Sequence, residues 1–481
     1  MALIAATPTK TFGFLLDGEW INTGKRVDVL APADQSPVAS VVQPERAHVE
    51  AAIQAATRAF EVTRKLGAFE RQRVLRAVSD GIVARREEFV RTLAREAGKP
   101  LKGARVEVDR AAFTFALAAE EATRMGGEWL PLDLQPATAG RWAIVRRFPV
   151  GPIATVTPFN FPLNLVAHKW APAIATGCTI VHKPAPQTPL CSLLLAELVQ
   201  KAGWPAGGLN VLPAAVADSE PLITDDRLKA LSFTGSAAVG WELKKRAGKK
   251  RVTLELGGNA AVIIHHDADL DYAAERCVLG GFSYSGQTCI SVQRILVEGS
   301  ALGRFLEAFV PRVRKLKLGD PLDEATDIGP MISEGAAARA SSWVEEAVRE
   351  GAKVLCGGGR QGALMEPTVL TGTRPRQRVN CEEVFAPLVT IEPYEEFGEA
   401  LQRANDSPYG LQAGLFTRDA KLLFTAFEEL AVGGVIAGDV PSFRIDHMPY
   451  GGVKDSGLGR EGVRYAMEEM TERKILVVNM P

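Results

Sequence analysis

Cysteine is scarce in this chain: six residues in 481, with no paired spacing and no CxxC. That excludes a disulfide-stapled scaffold and a cysteine zinc site, and it favours a reducing compartment. Histidine is equally sparse. The single adjacent pair, His265-His266, lacks the companion ligands of a zinc motif and reads as a surface feature where a strand meets a loop, so no metal is expected. Charge of one sign is missing too, with 56 basic against 57 acidic residues and a net charge of -1, which removes the electrostatic case for nucleic acid. The longest basic run, Lys244-Lys245-Arg246 with Lys249-Lys250-Arg251, falls at an expected helix C-terminus, where cations complement the helix dipole. No apolar run is long enough to span a bilayer, and MALIAATPTKTFGF does not have the basic-then-apolar order of a signal peptide. A soluble, cytoplasmic protein without a membrane partner is expected, and no internal repeat or low-complexity tract is visible.

What is present is length and a large apolar fraction. A chain of 481 residues, 46% hydrophobic, exceeds what one ordinary core holds and implies two or three domains. Phe14-Leu15-Leu16, Asp17-Gly18 and Trp20-Ile21 predict a hairpin with a tight turn. From Pro44 to about Glu121 helical periodicity dominates, with breaks near Leu66-Gly67 and at Gly98-Lys99-Pro100, so three or four helices fit. Trp129 to Phe148 reads as an extended arm with a strand at Trp142 to Val145. Strands at Ile153–Val156, Thr179–His182, Leu209–Leu212 and Leu228–Phe233 then alternate with helices at 163–173, 189–201, 216–223 and 237–247, which is the pattern of a parallel sheet. Beyond Leu256 a second α/β region has helices at 302–316 and 334–350 and a strand at 387–391. The tail is glycine-rich from Met448, helical through 464–471 and strand-like at 475–479.

The chemistry concentrates between Arg251 and Arg294. Val252, Leu254 and Leu256 alternate with Thr253 and Glu255, and Gly257-Gly258-Asn259 breaks the strand, which leaves a carboxylate at a strand end. A helix follows over 270–282, and Ser285-Gly286-Gln287-Thr288 opens a loop carrying Cys289. A lone cysteine is usually a small core residue and a strand-end glutamate a solvated charge. The alternative is a nucleophile and base brought together by the fold. The Thr234-Gly235-Ser236 turn that opens a helix through Gly240 could face a phosphate, but its spacing is neither GxGxxG nor a P-loop, and Ser236 reads equally as an N-cap.

Seven ordered motifs go further: TPFNFP (157–162), HKPAPQTP (182–189), FTGSAAVG (233–240), LELGGN (254–259), FSYSGQTC (282–289), EEVFAP (382–387) and PYGGVKDSGLGREG (449–462). Together they resemble the aldehyde dehydrogenase superfamily over nearly the whole chain. The resemblance implies a Rossmann-like dinucleotide-binding domain (1–127 and 147–253), an α/β catalytic domain (254–447) and a small oligomerisation arm (128–146 and 466–481) in a homodimer or homotetramer. It implies Cys289 as nucleophile, Glu255 as the base that activates water, and Asn160, with the Cys289 backbone N–H, as oxyanion donors. For NAD or NADP it implies Lys183 and Glu383 at ribose hydroxyls, Phe385 beside the nicotinamide ribose, and Gly235, Ser236 and Gly240 near the pyrophosphate, with Thr157 and Phe159 adjoining. Pro186 stands where many NAD-preferring relatives carry a ribose-binding glutamate, so the choice of NAD or NADP stays open. Gly438 stands where relatives usually have Asn. The implied aldehyde pocket is Arg110, Phe161, Asn164, His168, Thr288, Ile290, Phe443, Arg444 and His447, whose polarity suggests a short, hydroxylated or weakly anionic aldehyde of the lactaldehyde or glyceraldehyde kind. The bland alternative has Arg110 tied to Glu107 or another carboxylate over a permissive pocket. A coenzyme A-acylating enzyme and a nonenzymatic binding protein are the rivals, and the presence of Glu255, Cys289 and Asn160 argues against both.

Overall fold

The computed structural model describes residues 10–480. Two large sheets organise it. In the first, eight strands run in the order Gly457–Leu458, Arg251–Glu255, Ala230–Thr234, Ile153–Val156, Ile180–Lys183, Leu209–Val211, Phe14–Leu16, Glu19–Ile21. The central five are parallel, as βαβ connections demand, and both edges are antiparallel. The expected hairpin closes one edge through Asp17 and Gly18, both with φ in the left-handed region that a tight hairpin turn requires. In the second sheet, seven strands run Lys353–Cys356, Thr368–Thr371, Leu388–Tyr394, Val292–Glu298, Ala260–Ile264, Gln412–Phe416, Gly434–Ala437, parallel except for the first. A three-stranded antiparallel sheet joins Glu128–Pro131, Arg141–Pro149 and Thr471–Asn479.

The helical region has four members: Arg46–Thr63, Ala68–Ala84, Arg86–Ala97 and Leu101–Arg124. The break at Arg85 carries no glycine or proline signal. There the Arg85 guanidinium pairs with Glu88 and Glu197, the latter distant in sequence. The expected helix over 216–223 is a 3-10 turn, Ala217–Ser219, followed by one helical turn, Pro221–Thr224, because Pro221 cannot donate to the preceding turn. The C-terminal helix ends at Glu469, and the last strand begins at Thr471 rather than 475, paired residue by residue with Pro149 back to Arg141. The strand expected to end at His182 ends instead at Lys183. His265 and His266 follow the strand Ala260–Ile264, and the fold supplies a carboxylate that their spacing did not reveal: Glu298 Oε2 lies 3.2 Å from His266 Nδ1. No helix among the described residues is long and apolar enough to cross a membrane.

The sheets are placed so that opposite ends meet. Val156, Lys183, Thr234 and Glu255 end strands of the first sheet, while Asn259, Cys289 and Ala386 lie just before strands of the second. Ligands of open α/β sheets collect at the carboxyl ends of the strands, and here the second sheet closes that crevice from its amino end.

Candidate active site

A cavity of about 370 Å³ fills the crevice, and Asn160, Glu255, Cys289, Glu383, Phe385, Gly235 and Ser236 all line it. The Gly257-Gly258 turn is what allows the carboxylates and the thiol to converge. A Cβ on Gly257 would overlap the Glu383 carboxylate, and one on Gly258 would overlap the Cys289 carbonyl. Gly258 N–H donates to Glu383 Oε1 (2.9 Å), and the buried Ser456 hydroxyl donates to the Gly257 carbonyl (2.7 Å). The loop before Cys289 passes through Tyr284, Ser285 and Gly286, all with φ of 50–66°. For the two non-glycines that conformation costs roughly 1–3 kcal/mol each, and hydrogen bonds from Tyr284 Oη to the Ala97 carbonyl and from Ser285 Oγ to the Gly329 carbonyl hold it.

Asn160 Nδ2 donates one hydrogen to the Gln287 carbonyl (3.1 Å), so its second N–H is available to a developing oxyanion, and Oδ1 is buried without a partner. Its own carbonyl accepts from Lys99 Nζ (2.8 Å), and Lys99 is ion-paired to Glu107. Glu107 Oε1 in turn accepts from the Leu163 and Asn164 amides at the start of the helix Asn164–Thr176. Neither Lys99 nor Glu107 was a sequence candidate for the site, although Arg110 was expected to pair with Glu107 or another carboxylate. It pairs with another carboxylate, Asp446, held by Arg110 Nη2 at 2.7 Å and by His168 Nε2 at 2.8 Å.

Both Glu255 oxygens are buried without a partner. Burial, reinforced by Glu461, raises the pKa of this carboxyl well above the ordinary range. Burial opposes ionisation of Glu461 too, but Lys169 (3.0 Å) and Arg444 (3.1 Å) bring it down to about 2. Asp446, buried as well, is held below the usual carboxylate range by His168 and Arg110. His168 itself is pushed down by burial and by Arg444, and its neutral ring donates to Asp446. Arg110 is thus paired with Asp446, while Lys169 and Arg444 share the single carboxylate of Glu461. Burial raises the Cys289 thiol to about 11, against a hydrogen bond from Tyr450, and raises Glu383 to about 7.

Of the expected aldehyde pocket, Arg110, Phe161, Asn164, Thr288, Ile290 and Arg444 line the cavity. His168 lies behind it on Asp446, and Phe443 and His447 are exposed, outside the lining, because turns at Val440–Phe443 and Ile445–Met448 present Ser442 and Arg444 instead. Of the cofactor candidates, Phe159 lines the cavity and meets Phe385 edge-on at 6.0 Å, while Phe385 adopts φ 52°. Thr157 faces His182, Gly240 packs against Leu256, Lys183 is buried near the Pro184 carbonyl, and Pro186 is exposed. Gly438 has φ 73°, a region that Gly and Asn both tolerate, which accounts for exchange between them there.

The aldehyde dehydrogenase family profile matches residues 20–476. The chain belongs to this family. It is thus an oxidoreductase of the NAD(P)-dependent aldehyde dehydrogenases, with the α/β fold that the motifs implied. A 3-sulfolactaldehyde dehydrogenase of Priestia megaterium is 44% identical over 479 residues, covering 99% of this chain and all of the relative. Aldehyde dehydrogenase 21 of Physcomitrella patens, solved with its reaction product succinate, superposes with a TM-score of 0.97 at 46% identity, covering 98% of this chain and 99% of that one. The glyceraldehyde-3-phosphate dehydrogenase GapN of Methanocaldococcus jannaschii, solved with NADP, gives 0.92 at 41%, covering 96% and 100%.

Proposed function

We propose that the protein oxidises a short aldehyde bearing an anionic group at its far end, a carboxylate or a sulfonate, to the corresponding acid. The observation that carries this reading is that both Arg110 and Arg444 stand in the cavity wall, Arg444 sharing its one carboxylate, Glu461, with Lys169. A guanidinium offers a carboxylate or sulfonate charge-assisted hydrogen bonds that a neutral aldehyde tail cannot accept as strongly. The named relatives agree in kind, since sulfolactaldehyde carries a sulfonate and succinate a second carboxylate.

In this reading the Cys289 thiolate adds to the aldehyde carbon and forms a thiohemiacetal. The second N–H of Asn160 Nδ2 faces the developing oxyanion, an interaction of ~3 kcal/mol in comparable sites. NAD or NADP, when bound, supplies the hydride acceptor. The residues fit such a group: Glu383 spends Oε1 on Gly258 and keeps Oε2 for a ribose hydroxyl, and Gly235 and Ser236 open the ten-residue helix Ala237–Arg246 at the cavity mouth, where backbone amides suit a pyrophosphate. Lys183 is the further candidate for the ribose. Glu255, once ionised, takes a proton from the water that hydrolyses the acyl thioester. An acyl acceptor such as coenzyme A would not need this base.

The same reading makes the three-stranded arm an oligomer contact, since Ile475, Leu476 and Val477 are each more than half exposed on its last strand. The six free thiols suit a reducing cytoplasm. A kinetic panel with both cofactors tests the substrate class: succinic semialdehyde and 3-sulfolactaldehyde should exceed lactaldehyde, and all three should exceed hexanal, in kcat/KM. Preference for the long neutral aldehyde would overturn the reading.

A further inference from the structure

We propose that Tyr450 readies the nucleophile: its phenolic O–H donates to Cys289 Sγ and stabilises the thiolate, and Arg444, stacked on the phenol ring, strengthens that donor. The inference rests on the reading of Cys289 as nucleophile and adds the group that activates it. Tyr450 Oη lies 3.0 Å from Sγ, and both oxygens of Glu255, the other candidate for contact with the thiol, have no hydrogen-bond partner. Activation of Cys289 by direct proton transfer to Glu255 therefore has no geometry in this structure, whereas a phenol donor is already in place.

The ring is fixed from three sides. The Tyr450 and Glu461 backbones exchange two hydrogen bonds (3.0 and 2.6 Å), Ile290 and Leu411 pack beside the ring, and the Arg444 guanidinium lies 3.7 Å from the ring centroid. A cation on the face of a phenol draws electron density from it and makes its O–H a better donor. Arg444 cannot drift away, since Glu461 binds it and is itself bound by Lys169, whose ammonium also reaches Ser232 Oγ at 2.9 Å. The buried ion cluster thus acts on the thiol through one aromatic ring. The charged and titratable groups that face Sγ are Tyr450, Arg444, Glu383 and Glu255. The first two favour the thiolate. The two glutamates and burial oppose it.

The test follows alkylation of Cys289 by iodoacetamide against pH, read by mass spectrometry of the Cys289 peptide in the wild-type protein and in Tyr450→Phe. Phe retains the ring and its packing. Hydrogen bonds to charged groups predict a loss of roughly tenfold or more in alkylation rate at neutral pH. The profile should move to higher pH while the limiting rate at high pH stays the same or rises, because an unbonded thiolate is no weaker a nucleophile. A purely structural role would lower the rate at every pH. Site-specific replacement of Tyr450 by 3-fluorotyrosine, a more acidic phenol of nearly the same shape, should move the profile the other way. Superimposable profiles for all three proteins would overturn the proposal. Retention of aldehyde turnover after complete alkylation of Cys289 would instead overturn the nucleophile reading.

Discussion

Glu255 and Glu461 belong to one buried cluster, and their carboxyl pKa values are driven in opposite directions. Both are removed from water, which by itself raises a carboxyl pKa. Glu461 receives Lys169 and Arg444 and is brought down, while Glu255 receives neither as a hydrogen-bond partner and is raised. Two carboxylates with environments that push them apart is the arrangement from which an acid–base pair is built.

Glu255→Gln should therefore give a single burst of reduced cofactor, about one per active site, followed by a stall with the acyl group on Cys289. Stopped-flow absorbance reads the burst, and intact-protein mass spectrometry reads the adduct. With Glu255 as the proposed base, steady-state turnover of the wild type needs the ionised form of a group whose pKa is raised, so activity should fall as pH drops through that raised value, above the ordinary 4.5. The variant's burst should lack this limb. A burst with the wild-type acid limb would assign the limb elsewhere.

Arg110→Met removes one of the two arginines from the cavity wall and leaves Asp446 with His168. The ratio of kcat/KM for an anionic aldehyde over a neutral one of similar length should fall about tenfold or more, equivalent to ~1.4 kcal/mol. An unchanged ratio would mean that Arg110 does not select substrate.

Much of this site was legible in the sequence because its parts sit at strand ends marked by glycine. Glu255 precedes Gly257-Gly258, Cys289 follows Gly286, and Gly235 and Ser236 open a helix. The strand alternation that revealed the first sheet depends only on local periodicity. Asp446, Tyr450 and Glu461 were not legible. Their roles come from pairings such as Asp446 with His168 and Tyr450 with Cys289, which cross more than 150 residues and involve types that ordinarily read as surface charge or core. Phe443 and His447 lie outside the cavity lining, on an irregular loop where no period tells which residues point inward. The Arg85 break likewise carries no local signal, and the pairing found there, Arg85 with Glu197, crosses more than 100 residues.

Gly258→Ala should abolish turnover while the protein still folds. The added methyl would overlap the Cys289 carbonyl, and the loop must shift to relieve it. Overpacking of this kind costs ~1–3 kcal/mol, a modest part of the stability of a large domain but enough to misplace a nucleophile. Circular dichroism should show a native spectrum with a slightly lowered Tm. Wild-type activity would mean the loop has room that the glycine turn does not suggest.

Acid sensitivity should trace to Glu461. Its folded pKa, about 2, lies below the unfolded value near 4.5, so its ionisation stabilises the native state above pH 4.5 and that contribution is lost as pH falls toward 2. Asp446, also depressed, acts in the same direction over its own lower range. Glu255 acts in the opposite direction: its raised pKa costs stability once pH climbs past the unfolded value. Glu461→Gln should therefore be less stable than wild type at neutral pH, because Lys169 and Arg444 lose their counter-ion, and its stability should fall less steeply below pH 4.5. Urea unfolding of both proteins at pH 3.5, 4.5 and 7 measures the slopes. Parallel curves across that range would mean that Glu461 is not ionised in the native state.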